Sequence, residues 1–288
     1  MIGVFDSGFG GLTVLSALLR ALPGYDYLYL ADSARAPYGA RSAEAVNEFT
    51  LEGVEWLFEQ GCPLVILACN TASARALRNL QQLHLPARRP DRRLLGVVRP
   101  SVEALAGIPV GRVAIPDLTP PSDAAGLVAV LGTPATIASD SYGIELRKLA
   151  PRLRLVQHAC PLWVPLVEAG ELEGPGVEFF LRRELGAMRE RAAGEWPSRV
   201  LLGCTHYPLL LPALRRLVPA HIELLAQGGL VAERLADWLR RHPDQEARLG
   251  RGGARRFATT DDPGWFAERG SRILDHSLSA ERVRLSTR

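Results

Sequence analysis

Short apolar runs that stop abruptly at polar or thiol residues, each followed by helix-period patterning, constrain this chain more than any other feature. Met1-Ile2-Gly3-Val4-Phe5 stops at Asp6-Ser7, passes through Gly8-Phe9-Gly10-Gly11, and continues with Leu12, Leu15, Leu18 and Leu19 on one helical face. Tyr27-Leu28-Tyr29-Leu30-Ala31 stops at Asp32-Ser33. A helical pattern over 42–60 leads to Leu64-Val65-Ile66-Leu67-Ala68, which stops at Cys69-Asn70-Thr71, and a further helix is predicted over 72–83. Runs this short and this apolar read as strands buried on both faces. Their alternation with helices implies an α/β fold with mostly parallel sheets.

The pattern then repeats. An Arg- and Pro-rich stretch over 86–93 marks a change, followed by a predicted strand over 94–98. Residues 115–125 hold three prolines and read as a surface loop. A strand over 127–131 runs into Gly132-Thr133-Pro134-Ala135-Thr136, and a helix precedes a strand at 152–157. Residues 174–191 read as a charged, solvent-facing helix, and Val200-Leu201-Leu202-Gly203 stops at Cys204-Thr205-His206. Segment 3–19 resembles 128–139, and 64–77 resembles 200–214. Two similar α/β domains related by an approximate two-fold axis, with the ligand in the cleft between them, fit this repeat.

The bulk properties remove several function classes. With 47% hydrophobic and 23% charged residues, the 288-residue chain has the composition of a globular protein. Its net charge of +3 is too weak to argue for nucleic acid, and its apolar stretches are too short to span a membrane. The four cysteines, Cys62, Cys69, Cys160 and Cys204, form no C-x-x-C pair, and no secretory leader pattern opens the sequence. A reduced, cytoplasmic setting is therefore expected.

Cys69 and Cys204 end matching strands, and strand ends are where open α/β sheets bind ligands. Two thiols delivered from two halves suggest a pair of acid/base groups facing one substrate. An isolated strand cysteine is usually a core residue, and Cys62 and Cys160 keep that reading. Asp6 and Ser7 stand where a carboxylate could orient a thiol, although Asp at such a turn is often only a cap. The Gly8-Phe9-Gly10-Gly11 turn offers backbone N–H groups, but no Gly-Lys-Ser/Thr follows, so it is not a P-loop. His206 is an acid/base candidate; one Cys-x-His pair is too little for zinc, and no metal is expected. His158 reads as structural, Pro37-Tyr38-Gly39 as a compact turn, and Glu168 as a solvated or capping acid.

Taken together, these segments resemble glutamate racemases. The resemblance rests on Gly3-Val4-Phe5-Asp6-Ser7-Gly8-Phe9-Gly10-Gly11-Leu12-Thr13-Val14 and Ala31-Asp32-Ser33-Ala34-Arg35-Ala36-Pro37-Tyr38-Gly39. It continues in Ala68-Cys69-Asn70-Thr71-Ala72-Ser73-Ala74 and Leu202-Gly203-Cys204-Thr205-His206-Tyr207-Pro208-Leu209, more weakly around Cys160-Pro161 and Glu168, and at a closing strand over 256–260. It implies cofactor-independent interconversion of L- and D-glutamate, supplying D-glutamate for peptidoglycan synthesis. One domain would hold residues 1–97 and 226–288, the other 98–225. Cys69 would take the proton from D-glutamate with Asp6 assisting, and Cys204 from L-glutamate with His206 assisting; Glu168 is a further candidate on that side. Ser7, Pro37, Tyr38, Gly39, Asn70, Thr71, Thr133, Thr136 and Thr205, with Asp6 and His206, would bind the substrate. The single lysine, Lys148, is not at a strand end, which agrees with a cofactor-free mechanism. Members of the family are commonly dimers, so a homodimer is the assembly the resemblance implies, and no motif sets its arrangement.

Two places depart from the family pattern. Gly96-Val97-Val98-Arg99-Pro100-Ser101 stands where Gly-Val-Ile and a Pro-Gly turn are usual, and Ala226-Gln227-Gly228 stands in place of Asp-Ser-Gly. Both touch the domain junction. Three other readings stand beside the racemase. An aspartate or related amino-acid racemase would share both cysteines but tends to differ at His206 and Tyr207. A non-catalytic amino-acid-binding protein would have no use for both thiols. A thiol hydrolase built on Cys204 and His206 leaves Cys69 without a role.

Overall fold

The computed structural model describes residues 1–110 and 124–285. Ten strands lie among them: β1 (Ile2–Asp6), β2 (Tyr27–Ala31), β3 (Leu64–Leu67), β4 (Arg93–Gly96), β5 (Gly126–Gly132), β6 (Leu153–Ala159), β7 (Arg199–Gly203), β8 (Glu223–Ala226), β9 (Arg255–Thr259) and β10 (Glu281–Arg282). Six form one sheet in the order β10-β9-β2-β1-β3-β4, and four form a second in the order β6-β5-β7-β8. Every pairing is parallel. The order β2-β1-β3-β4 in one sheet repeats as β6-β5-β7-β8 in the other, so the internal repeat read from the sequence is a repeat of topology. β3 and β7 are equivalent strands, and each is followed within two residues by one of the two thiols.

The inner strands β1, β2, β3, β5 and β7 are largely apolar because both their faces are covered. In β1, Ile2 and Val4 enter one core cluster and Phe5 another, as the two-residue period of a strand requires. The first cluster does not stop at one sheet: it joins Ile2, Val4, Leu64 and Ile66 to Ala129, Leu131, Val200 and Leu202 of the second sheet. Val231, Ala232, Leu235 and Leu239, on one face of the helix Gln227–Arg241, complete it.

Helix ends follow local chemistry. Ser42 caps the helix Ala43–Glu59 by accepting from Ala45 N–H at 3.2 Å. Cys69 caps Asn70–Arg75 through Ala72 N–H at 3.5 Å, and Thr133 caps Pro134–Ala138 through Thr136 N–H at 3.2 Å. A cap is non-helical while its side chain faces the first turn, so these residues are held at the strand-to-helix corner.

Several local expectations need correction. The strand predicted over 94–98 ends at Gly96, and Val98 opens the helix Val98–Leu105, whose buried Val98, Ser101, Val102 and Leu105 form one helical stripe. Short apolar runs do not distinguish the two periods. The helix expected over 72–83 starts at Asn70 and breaks at Ala76 into short turns reaching Arg88. The helix Pro175–Arg191 is not wholly solvent-facing: Val177, Leu181, Leu185 and Met188 bury one face, with Glu184 among them. The loop expected over 115–125 lies, apart from Ala124 and Ala125, outside the described residues. No helix among the described residues is long and apolar enough to cross a membrane.

Candidate active site

Two cavities stand out. The larger, about 790 Å3, lies among the helices Val98–Leu105, Ser141–Leu149 and Gln227–Arg241 and contains neither strand-end thiol. The smaller, about 150 Å3, contains both. Chemistry therefore assigns the site to the smaller cleft.

The first sheet contributes Ser7 after β1, Cys69, Asn70 and Thr71 after β3, and the turn with Pro37, Tyr38 and Gly39. The second contributes Thr133 after β5, Cys160 after β6, and Cys204, Thr205 and His206 after β7. Corresponding strands of the two halves thus deliver corresponding residues to one space. Of the residues expected there, Thr136, Asp6 and Glu168 stand behind the lining. Thr136 is fully buried and bonds to both Thr133 (3.0 Å) and Thr71 (3.3 Å), and Thr71 and Thr133 meet across the cleft at 3.0 Å.

The surroundings of the two thiols differ. Cys69 Sγ donates to Ser7 Oγ at 3.6 Å and accepts from Ala72 N–H at 3.5 Å. Burial pushes this thiol up to about 12, helped by the charge on Asp6 and outweighing the Ala72 and Ser7 contacts. Cys204 Sγ lies 3.8 Å from His206 Nδ1, and His206 Nε2 is 2.7 Å from Glu168 Oε1. Burial alone would lower the His206 pKa, but the hydrogen bonds and charges of Cys204 and Glu168 outweigh it and push the imidazole up to about 10. Cys204 is thus backed by an imidazolium with a carboxylate behind it.

Asp6 occupies the seam between the halves. Its Oδ2 accepts from Gly8 N–H at 2.9 Å and its Oδ1 from Thr205 Oγ1 at 3.3 Å. Ser7, rather than Asp6, is therefore the hydrogen-bond partner of Cys69. Burial raises the Asp6 carboxyl to about 6, against the opposing effects of His206, Gly8, Gly11 and Thr205.

Two glycines allow the halves to approach. A Cβ on Gly10 would lie 2.5 Å from His206 Nδ1, and one on Gly39 would lie 2.7 Å from Thr133 Cβ. The Pro37-Tyr38-Gly39 turn is fixed from behind by Asp32, which binds the Tyr38 hydroxyl, Arg35 Nε at 2.7 Å and Thr260 Oγ1 at 2.9 Å. Tyr38 thus lines the cleft with its phenol already committed. Asp32 was visible only as part of a motif, because its partners come from residues 35, 38 and 260. Val164, Pro165 and Cys160 also line the cleft and were not foreseen as site residues. Beneath Cys160, His158 Nε2 pairs with Glu184 at 2.7 Å, a buried structural contact. Lys148 pairs with Glu145 at 2.8 Å outside the cleft.

Two strand-end thiols brought to one cleft by duplicated parallel α/β halves define an amino-acid racemase type of site. No family model matches the chain. It is 40% identical over 287 residues to the glutamate racemase of Paracoccus denitrificans, covering 97% of this chain and 98% of that protein. Identity to the glutamate racemase of Phenylobacterium zucineum is 41% over 269 residues, covering 91% and 93%. The glutamate racemase of Francisella tularensis, solved with D-glutamate, superposes with a TM-score of 0.82 at 28% identity, covering 99% of this chain and 97% of that one. The Thermus thermophilus glutamate racemase, solved with beta-chloro-D-alanine, gives 0.77 at 34% identity, covering 99% and 96%. The chain belongs to the glutamate racemase family.

Proposed function

We propose that this protein interconverts L- and D-glutamate without a cofactor, by proton transfer between Cα and two cysteines, and so supplies D-glutamate for peptidoglycan synthesis. The observation that carries this reading is the delivery of Cys69 and Cys204 to one cleft by equivalent strands of the two halves. Inverting Cα needs a base on one face and an acid on the other. Cys204, as thiolate beside the His206 imidazolium, takes the Cα proton of L-glutamate. Cys69, which burial keeps protonated, delivers its proton to the opposite face and is left as thiolate. Running the exchange backwards regenerates both groups from D-glutamate.

Glu168 holds the His206 ring, and Asp6 with Ser7 provides the polar setting of Cys69. The carbanion is stabilised electrostatically at the substrate carboxylate by the backbone N–H groups of Asn70 and Thr71 and the hydroxyls of Thr71, Thr133 and Thr205. The substrate ammonium, seated near Asp6 and Ser7, offsets the burial and negative charge that oppose the Cys69 thiolate. Pro37, Tyr38 and Gly39, packed against Thr133, close one end of the cleft and bind the distal carboxylate. Thr136 orders the Thr71 and Thr133 hydroxyls from behind.

The division of the chain that accompanies this reading is 1–97 with 226–288, and 98–225. It is supported by the membership of the strands in the two sheets, except that Ala226, the last paired residue of β8, belongs to the second sheet. A reduced cytoplasmic setting is supported by four free cysteines, two of which must remain thiols to act. Incubation with L-glutamate in D2O tests the function. The expected result is loss of optical rotation with deuterium entering Cα, and a roughly 10²–10⁴-fold slower reaction in Cys69→Ser and Cys204→Ser. Exchange with aspartate alone would reassign the substrate, and silence with both amino acids would sink the reading.

A further inference from the structure

The chain leaves one sheet for the other twice, after Gly96 and again after Ala226. Both departures from the family pattern lie at the starts of these passages, and they touch. Gln227, the first residue of the helix Gln227–Arg241, donates from Nε2 to Ser101 Oγ at 2.6 Å and to the Tyr142 hydroxyl at 3.0 Å. Tyr142 OH also accepts from Asn70 Nδ2 at 2.7 Å. All four side chains are buried, and within the cluster the amide oxygens of Asn70 and Gln227 have no hydrogen-bond partner.

Amide nitrogens supply the donors of this cluster. Ser101 gives its hydroxyl proton to Val97 C=O at 2.7 Å. The two Gln227 amide protons fill one lone pair on Ser101 and one on Tyr142. The other Tyr142 lone pair accepts from Asn70, which thus turns its nitrogen toward the phenol. Its Oδ1, buried and without a hydrogen-bond partner, becomes the polar atom that Asn70 offers to the cleft it lines.

We propose that Gln227, Ser101 and Tyr142 form a polar lock that ties the two passages together and fixes the orientation of the Asn70 amide beside Cys69. Gln227 and Tyr142 are then positioning residues that act through Asn70. An Asn70 turned with its oxygen toward the cleft accepts from the substrate ammonium; turned the other way, it presents N–H groups to a cation. Removing Gln227 frees the Tyr142 lone pairs and proton to reorganise, and both amide orientations become available. The proposal rests on the reading of Asn70 as a substrate-binding residue.

A double-mutant cycle tests the lock. Racemisation kinetics and melting temperature are measured for wild type, Gln227→Met, Tyr142→Phe, Asn70→Ala, and each of the first two combined with Asn70→Ala. Met keeps the length of Gln227 without its donors, and Phe keeps the buried Tyr142 ring if the Met variant folds poorly. The expected result is a roughly tenfold fall in kcat/KM for Gln227→Met and for Tyr142→Phe, carried mainly by KM. In the Asn70→Ala background the same changes should alter kcat/KM by less than about twofold, while the melting-temperature loss persists in both backgrounds. Equal fold losses in both backgrounds would overturn the lock while leaving the racemase reading intact. An Asn70→Ala variant as active as wild type would overturn both the lock and the role of Asn70. An inactive wild type would instead refute the function itself.

Discussion

His206 is held on both ring nitrogens, by Cys204 at 3.8 Å and Glu168 at 2.7 Å, and its charge is set by those contacts against the effect of burial. Its folded pKa, about 10, stands above the ordinary 6.5. The stability it contributes is therefore complete below pH 6.5 and is lost as pH rises through about 10. Melting temperature followed from pH 6.5 to 10 should fall more steeply in wild type than in His206→Gln; parallel curves would refute the assignment. Asp6 behaves in the opposite sense to an ion-paired carboxylate. Burial lifts it from 3.8 to about 6, so the folded state holds its proton more tightly and stability declines as pH rises through that interval. Asp6→Asn should remove this decline, as melting curves across pH 4 to 6 will reveal. Neither shift was visible in the sequence, because burial and the partners acting on each group come from distant segments, as Thr205 lies 199 residues from Asp6.

Strand ends and the turns after them make the site, and their spacing is steric. The turn containing Gly39 packs so closely on Thr133 that a Cβ would sit 2.7 Å from Thr133 Cβ. Gly39→Ala should displace this turn and raise KM for glutamate by roughly tenfold, with a smaller effect on kcat, since misplacement of binding groups by an ångström is costly. Steady-state kinetics decide it: an unchanged KM would mean that the turn does not bind substrate. Elements were legible where pattern and length agreed, as for the helix Ala43–Glu59 with its Ser42 cap. They were not where apolar residues served a different partner than supposed. Val98 looked like the end of a strand because its neighbours are apolar, yet it packs as the first residue of a helical stripe. The two-residue strand β10 carries no apolar pattern, since both its residues are exposed, and it exists by pairing with β9.

Across the whole molecule, one hydrophobic cluster runs through both sheets, linked by Leu235 and its neighbours on the helix Gln227–Arg241. The halves should therefore unfold together, and calorimetry should record a single transition. Leu235→Ala, which empties a site buried in that shared cluster, should destabilise the protein by about 2–5 kcal/mol and preserve the single transition. Two separable transitions in the wild type would show the halves to be independent. The sequence by itself determined the alternation of strand and helix, the duplication, and the position of each thiol at a strand end, because periodicity and strand termination are local properties. Family membership was legible for the same reason, through contiguous motifs. Only the tertiary structure decided that Asp6 bonds to Thr205 rather than Cys69, that Tyr38 spends its phenol on Asp32, and that Ser101 and Gln227 meet. Such pairings arise from chain segments more than a hundred residues apart or from side-chain directions within a turn. They depend on packing that no local pattern encodes.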